Sequence, residues 1–319
     1  MLVVAVLRGG PSEEHAISLK TGAEVISRLD RAPYRAIDVF IDKQGVWHVR
    51  GIPMSPARAL SSVDVVFNAL HGAYGEDGTV QKLLSRLGVP FTGSGAYGAA
   101  LAHNKVLTKL MLEKLGIRTP RHALLRVTPD LMQEALKAYR MFSPPVIVKP
   151  TSSGSSLGMT LAKGFEEFWE GVKSAFNSST EVMVEEFIPG RDATAGIIEG
   201  MRASPYYQML PVEIHVPTWK AVDFDAKYGG KTDFVAPGNF SKEESNELQR
   251  LSRAVHEELG LQHYSRSDFV VSPYGIYFLE VNSLPTITPE SSFVKSLSAV
   301  GISTDELLDH VIGLALKRK

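Results

Sequence analysis

The alternation of apolar strands with helical segments in the first third of the chain constrains the fold most. The pattern predicts strands at residues 2–7, 36–41 and 63–70, and a helix at residues 17–29. Alternation of this kind favours an α/β fold with a parallel sheet that is covered by helices. Because such sheets bind ligands in the loops that follow their strands, the glycine-rich loop at residues 71–78 is a candidate binding loop.

The loop after the first strand is a second candidate. Gly9 and Gly10 precede Ser12, which we expect to be the N-cap of the following helix, with Glu13 and Glu14 in the first turn. Serine is a favoured N-cap residue, and acidic side chains stabilise the positive end of a helix.

Size and charge limit the function. The chain has 319 residues, which exceeds a typical single core and indicates two or three packed units. Its 34 basic and 35 acidic residues nearly balance, so we expect small-molecule partners and no nucleic acid. The first apolar run is too short for a signal peptide or a membrane span, so no membrane association is expected. The absence of cysteine excludes disulfides and thiolate metal sites and suits the cytoplasm.

The segment at residues 267–282 carries a candidate metal site. Two apolar runs flank a Pro-Tyr-Gly turn, and a three-residue hairpin with its glycine in the left-handed conformation would place Asp268 opposite Glu280. By strand alternation, Asn282 and Arg266 lie on the same face. Two carboxylates and an amide oxygen suit Mg²⁺ or Mn²⁺. The alternative is a solvated hairpin face, which the strongly apolar flanking residues disfavour.

A candidate phosphate site follows the strand predicted at residues 146–149. Lys149 ends this strand, and the Gly/Ser-rich loop at residues 151–158 can fold its backbone N–H groups over phosphate oxygens. The loop lacks the Walker A pattern, and such a loop taken alone is more often a solvated linker. Further along, residues 223–240 have weak periodicity and are predicted to form a long loop of the kind that closes over a site.

The segment at residues 93–98 matches the G-x-G-x-x-G pattern, so a dinucleotide site is an alternative. Two features disfavour it. The preceding strand contains Pro90, and the acidic residue at the expected spacing, Glu113, lies within a helix predicted at residues 97–115. A tight turn before that helix is the better interpretation. His71 lacks the spacing of a zinc site, but its neighbouring glycines would allow a ligand to approach the backbone.

Taken together, the motifs resemble those of the D-alanine–D-alanine ligases in order and spacing over almost the whole chain. The motifs are residues 9–19, 71–78, 92–95, 104–105, 149–156, 226–228 and 280–282. The resemblance implies a three-domain ATP-grasp fold, α/β with an α+β C-terminal part, in which ATP is held between two sheets. The implied domains are residues 1–96, 97–183 and 184–319, with a lid loop near residues 222–240. A homodimer is also implied.

The resemblance also implies roles for individual residues. For ATP binding they are Lys105, Lys149, Ser155, Glu185, the backbone near Ile188, Asp192 and Lys227. For Mg²⁺ they are Asp268, Glu280 and Asn282. For substrate binding they are Glu14, His71, Arg266, Thr286 and Ser291, and for catalysis Arg266, Ser155, Tyr228 and Lys227.

The implied reaction is ATP-dependent ligation of two D-alanine molecules through an acyl phosphate, for peptidoglycan precursor synthesis. Several positions depart from the family pattern. Ala16 stands where a second acidic residue is usual, Thr286 replaces a glycine, and residues 288–293 differ from the usual second-substrate segment. We expect Glu14 or a water molecule to compensate for Ala16. Two alternatives stay open: ligation of a different amino-acid or hydroxy-acid pair, and a non-catalytic ATP-binding homologue.

Overall fold

The computed structural model describes residues 1–151, 158–215 and 232–318. The strands in this part are β1 (Leu2–Gly9), β2 (Tyr34–Ile41), β3 (Trp47–Val49), β4 (Ile52–Met54), β5 (Val65–Asn68), β6 (His122–Arg126), β7 (Val146–Pro150), β8 (Thr160–Ala162), β9 (Glu181–Glu186), β10 (Arg191–Glu199), β11 (Tyr206–Gln208), β12 (Val212–His215), β13 (Asp233–Val235), β14 (Tyr264–Ser272) and β15 (Gly275–Asn282).

The α-helices in this part are α1 (His15–Leu29), α2 (Pro56–Ala59), α3 (Thr79–Arg86), α4 (Ala96–His103), α5 (Lys105–Lys114), α6 (Leu131–Arg140), α7 (Phe165–Ala175), α8 (Lys242–Glu258), α9 (Ser292–Ala299) and α10 (Thr304–Lys317). A 3₁₀ turn at Met201–Ala203 follows β10.

The first sheet has the order β4-β3-β2-β1-β5. Its central strand, β1, is parallel to both β2 and β5, as the sequence alternation predicted. β3 and β4 extend the sheet with antiparallel strands. Since β1 and β5 are parallel, the loops that follow them lie at the same edge of the sheet.

The second sheet is antiparallel, with the order β6-β9-β7-β8. Its core includes Val148, Val184, Phe168 and Val172, so α7 packs against the sheet. The apolar face of β7 is thereby fixed, and Lys149 emerges near the end of that strand.

The third sheet is also antiparallel, with the order β13-β12-β10-β14-β15, and β11 pairs with β10. Leu248, Leu251, Val255 and Leu259 pack against it from α8 and its C-cap. α8 begins with a reciprocal capping box between Ser241 and Glu244.

The first and third sheets share one core. Phe67 of the first sheet and Tyr264 of the third lie in the same buried cluster as Leu308 and Val311 of α10. The edge of the first sheet that carries the β1 and β5 loops is therefore held in a fixed position relative to β14.

Three local predictions were wrong. Ser12 does not cap α1, because its hydroxyl donates to the carbonyl oxygen of His71 at 2.6 Å. The helix begins at His15 with no side-chain cap and no acidic residue in its first turn. The fixed geometry of the two binding loops has therefore taken precedence over local capping.

The helix predicted at residues 97–115 is two helices. Asn104 lies between them in an extended conformation, and its side chain accepts hydrogen bonds from Val106 N and Leu107 N at the start of α5. The long loop predicted at residues 223–240 is interrupted by β13, which pairs with β12. Residues 216–231 of that loop lie outside the described part of the chain.

Candidate active site

The β14–β15 hairpin brings the predicted metal ligands together. Asp268 lies opposite Glu280, and Arg266 lies opposite Asn282. Arg266 donates from Nε and Nη2 to the two carboxylate oxygens of Asp268, at 3.0 and 2.9 Å. This two-point contact fixes the orientation of the carboxylate and compensates its charge.

The other two predicted ligands are also held in place. The ammonium group of Lys105, the first residue of α5, lies 3.3 Å from Oε2 of Glu280. Asn282 accepts a hydrogen bond from Leu284 N at 2.9 Å. α5 therefore reaches the hairpin through Lys105.

This donor set fits a divalent cation. Asp268 on β14 and Glu280 on β15 provide two carboxylates on one face of the sheet. The Asp268 carboxylate contacts Arg266, and the Glu280 carboxylate contacts Lys105. Hard oxygen donors of this kind suit Mg²⁺ held between protein and phosphates. Within the described ranges no group of three or more His, Cys, Asp or Glu side chains could hold a metal ion. A third protein donor beside Asp268 and Glu280 would therefore be the amide oxygen of Asn282.

An acid pair lies in the loops after β1 and β5. Glu14 and Glu76 are both buried, and Glu76 accepts a hydrogen bond from Gly72 N at 2.7 Å. A Cβ atom on Gly72, whose φ is +70°, would lie 2.7 Å from Oε2 of Glu14, so glycine allows this close approach. Burial and the neighbouring Glu14 raise the pKa of Glu76 to about 8, despite the backbone hydrogen bonds and Arg266. The pair is therefore expected to retain one proton at neutral pH.

The position of Ala16, where the family usually has an acidic residue, does not belong to this acid pair. Ala16 is exposed on α1, whereas Glu14 immediately before the helix is buried beside Gly72. Glu14 is therefore the carboxylate of this loop that the fold directs towards the site.

His71 is a buried neighbour of the acid pair. Its Nε2 lies 2.9 Å from Oγ1 of Thr21. Burial and the positive charge of Arg266 lower the pKa of His71 to about 4. The imidazole is consequently neutral at physiological pH, and it can serve as a hydrogen-bonding group without adding charge to the site.

A second charged cluster joins α5 to the second sheet. Lys149 Nζ contacts Oε2 of Glu185 at 2.6 Å, and Lys109 Nζ contacts Oε1 of the same carboxylate at 2.5 Å. Burial acts to raise the pKa of Glu185, but the two ammonium groups outweigh it and lower the pKa to about 2. Glu185 is therefore an anion held between two cations.

The folded chain thus places three lysines and paired carboxylates between the second and third sheets, and an acid pair towards the first.

Known proteins resemble the chain over almost its full length. The family signature "D-ala D-ala ligase C-terminus" matches residues 111–313, and "D-ala D-ala ligase N-terminus" matches residues 3–55 and 50–94. The chain belongs to the D-alanine–D-alanine ligase family.

Individual members of this family align almost end to end with the chain. A D-alanine–D-alanine ligase from Syntrophotalea carbinolica is 36% identical over 317 residues, covering 99% of this chain and 97% of the relative. The D-alanyl-alanine synthetase A structure from Vibrio cholerae superposes with a TM-score of 0.85 at 26% identity, covering 99% of each chain. The VanG D-Ala:D-Ser ligase structure from Enterococcus faecalis superposes with a TM-score of 0.83 at 25% identity, covering 98% and 99%.

The D-alanine–D-alanine ligases have the ATP-grasp fold, and the described sheets agree with that expectation from the sequence. In the part of the chain that is described, none of the helices is both long and apolar enough to cross a membrane.

The remaining predicted residues that are described lie on or beside β10, β15 and α9. Thr286 is buried after β15 and is not among the described residues with positive φ, so its backbone accommodates a side chain. Ser291 is the N-cap of α9, accepting from Val294 N and donating to the carbonyl oxygen of Thr288. Asp192 lies on β10 opposite Val270, and Ile188 lies in the connection between β9 and β10.

Three predicted residues, Ser155, Lys227 and Tyr228, lie outside the described ranges. Conversely, Lys109 and Glu76 belong to the two charged clusters but were not predicted as site residues. Glu76 had a sequence signal, since it is an acid within the glycine-rich loop at residues 71–78. Lys109 had none, because lysines within helices are usually exposed.

Proposed function

We propose that the chain catalyses the ATP-dependent ligation of two D-alanine molecules to D-alanyl-D-alanine, a peptidoglycan precursor. The observation that carries this proposal is the meeting of Asp268, Glu280 and Lys105 at one point, in a chain that belongs to this ligase family throughout its length. Paired carboxylates with an adjacent lysine suit the transfer of a phosphoryl group.

On the nucleotide side, Lys105 and Lys149 would contact the phosphates of ATP. Their present partners, Glu280 and Glu185, hold both ammonium groups in place before a nucleotide arrives. We assign the adenine and ribose contacts to Glu185, the backbone near Ile188, and Asp192. The family resemblance adds Ser155 and Lys227 to this group.

Asp268, Glu280 and Asn282 would hold Mg²⁺, or Mn²⁺ in its place. When bound, the cation would neutralise charge that develops on the transferring phosphoryl group. Arg266 holds the Asp268 carboxylate in position through two hydrogen bonds.

On the amino-acid side, Glu14 would receive the ammonium group of the first D-alanine. A carboxylate oxygen of this D-alanine would attack the γ-phosphorus of ATP, so that ADP leaves and D-alanyl phosphate forms. The neutral amine of the second D-alanine would then attack the acyl carbon, and phosphate would leave with the proton that the amine loses. Arg266 and a backbone N–H near Thr286 would stabilise the oxyanion that exists after the amine attacks and before phosphate leaves. His71 and Ser291 would orient the substrates, and Tyr228 would belong to the lid.

The acyl phosphate is labile in water, so the site must exclude solvent during both steps. We assign this role to the lid near residues 222–240. We further propose three domains, residues 1–96, 97–183 and 184–319, in a homodimer that works in the cytoplasm. The three sheets support this division, because their strands fall within residues 2–68, 122–186 and 191–282.

The proposal is tested by ADP release from ATP and Mg²⁺ in the presence of D-alanine, with the product identified by mass. L-Alanine, D-lactate, D-serine and no substrate serve as controls. We expect D-alanine-dependent ADP release with formation of D-alanyl-D-alanine. ATP binding without D-alanine-dependent turnover would contradict the substrate assignment and direct the search to other amino acids.

A further inference from the structure

Lys109 is a buried cation that the proposed reaction does not use. It lies on α5, one helical turn after Lys105, and its side chain is 0% exposed. Burying an ammonium group is unfavourable without a partner of opposite charge, so such a residue requires a structural or functional reason.

Lys109 and Lys149 share the carboxylate of Glu185. Lys109 Nζ lies 2.5 Å from Oε1 of Glu185, and Lys149 Nζ lies 2.6 Å from Oε2. Glu185 lies opposite Ile147 in the β7–β9 ladder, so Lys149, two residues along β7, is on the same face of the sheet. The carboxylate is thus held from one side by a helix and from the other by its neighbouring strand.

The two lysines differ in their access to a ligand. The side chain of Lys149, next to the last residue of β7, is 10% exposed, whereas that of Lys109 has no exposed surface. An arriving phosphate can therefore attract Lys149 but cannot contact Lys109. When Lys149 turns towards phosphate, Lys109 is the cation that stays with Glu185.

We infer that Lys109 is a positioning residue for nucleotide binding: as the permanent counter-ion of Glu185, it holds this carboxylate in place and leaves Lys149 available for phosphate. The inference rests on the proposed ATP site. It assigns Lys109 no contact with ATP and no part in the chemical steps.

The charge balance of the cluster supports this role. Burial lowers the pKa of Lys109 to about 8, although Glu185 opposes the shift, and the two lysines keep the carboxylate ionised. Without Lys109, Glu185 would depend on Lys149 alone. Binding a phosphate would then require Lys149 to leave a buried, uncompensated carboxylate, which is unfavourable.

The test is the affinity for ADP in the presence of Mg²⁺, measured by titration calorimetry for wild type, K109M and K114M. Lys114 lies on the same helix but is exposed, so K114M is the matched control. We expect K109M to raise the Kd of ADP about tenfold or more, and K114M to leave it within about twofold. The KM for D-alanine should be unchanged in both variants, because Lys109 acts on the nucleotide side.

A double-mutant cycle with E185Q separates positioning from general stability. If Lys109 acts through Glu185, adding K109M to E185Q will raise the Kd of ADP little further. The double variant contains a neutral pair of similar size, so it provides the comparison even where K109M alone unfolds. A folded K109M with wild-type affinity, or fully additive effects in the cycle, would overturn the inference.

The experiment distinguishes this inference from the proposed reaction. Wild-type protein that binds ADP but makes no D-alanyl-D-alanine would refute the reaction, while the comparison of Kd values would still decide the role of Lys109. Wild-type protein that does not bind ADP would overturn both.

Discussion

Glu280 faces Asp268 across the β14–β15 hairpin, although the turn between the strands is shorter than the sequence indicated. Ser272 pairs directly with Gly275, so only Pro273 and Tyr274 form the turn. In a regular ladder this would place Asp268 opposite Leu279. A register shift between Asp268 and Phe269 inserts one extra residue and restores the pairing with Glu280. The bulge therefore directs both carboxylates to the same point.

The first prediction concerns that carboxylate pair. E280Q should lower D-alanine-dependent ADP formation at least about 100-fold, because it removes both a proposed metal ligand and the partner of Lys105. Steady-state ADP release at saturating ATP and D-alanine measures the effect. E258Q, an exposed position at the end of α8, is the control and should behave as wild type. Activity of E280Q close to wild type would refute the assigned role of Glu280.

The second prediction concerns the pH dependence of stability at Glu76. Its pKa is raised to about 8 in the folded protein from an ordinary value of 4.5, because of burial and Glu14. Between these two pKa values the folded state binds a proton that the unfolded state has lost. The contribution of protonated Glu76 to stability is therefore fully present only below the unfolded-state pKa, and it falls as the pH rises towards the folded-state pKa. The slope approaches at most about 1.4 kcal/mol per pH unit.

Urea unfolding of wild type and E76Q between pH 5 and 8.5 measures this contribution. The free energy of unfolding of wild type should fall relative to E76Q by on the order of 3 kcal/mol over that range. E13Q, an exposed position in the neighbouring loop, should follow the wild-type profile. Parallel profiles for wild type and E76Q would show that Glu76 titrates normally.

The third prediction concerns the cap that places Lys105. The Asn104 side chain accepts from Val106 N and Leu107 N, so N104A should destabilise the protein by about 1 kcal/mol. It should also raise the KM for ATP, because Lys105 is the first residue of the capped helix. N104D retains the acceptor oxygens and should resemble wild type in both thermal unfolding and KM. Equal stability of N104A and N104D would argue against the cap.

The fourth prediction concerns the connection between the first sheet and the C-terminal part. Arg318 donates to the carbonyl oxygens of Phe91 and Gly93 and to Gln262, and its guanidinium lies 4.3 Å from the centroid of the Phe91 ring. R318A should therefore lower the free energy of unfolding by about 2 kcal/mol. Lys317 is exposed at the end of α10, so K317A is the control. Denaturant unfolding of the two variants provides the measurement, and equal values would contradict the prediction.

Much of the site was predictable because its signals are local. The acids at positions 268 and 280 interrupt apolar strands, which marks them as site candidates, although the bulge beside Asp268 is what places them opposite each other. Lys149 and the Gly/Ser loop are likewise adjacent in sequence. Their role in binding nucleotide was inferred from the family resemblance and stays a prediction.

The errors arose where a side-chain contact took precedence over the expected local pattern. Ser12 was expected to cap α1, but its hydroxyl bonds the His71 carbonyl from a loop 59 residues away. Asn104 was expected to lie within a single long helix, yet its extended backbone ends α4 and its side chain caps α5. Capping and periodicity describe local preferences, and tertiary contacts take precedence where they are stronger.

The sequence by itself determined the α/β character of the first third, the family, and the choice of Asp268 and Glu280 as candidate ligands, because all three depend on periodicity and motif spacing. Only the tertiary structure decided that Glu14 and Glu76 share a buried pocket and that Lys109 and Lys149 share Glu185. Those pairs join different elements, so their distances depend on how sheets and helices pack. The resulting burial and charge, which shift the pKa values of these groups, are properties of the packed molecule and of no single segment.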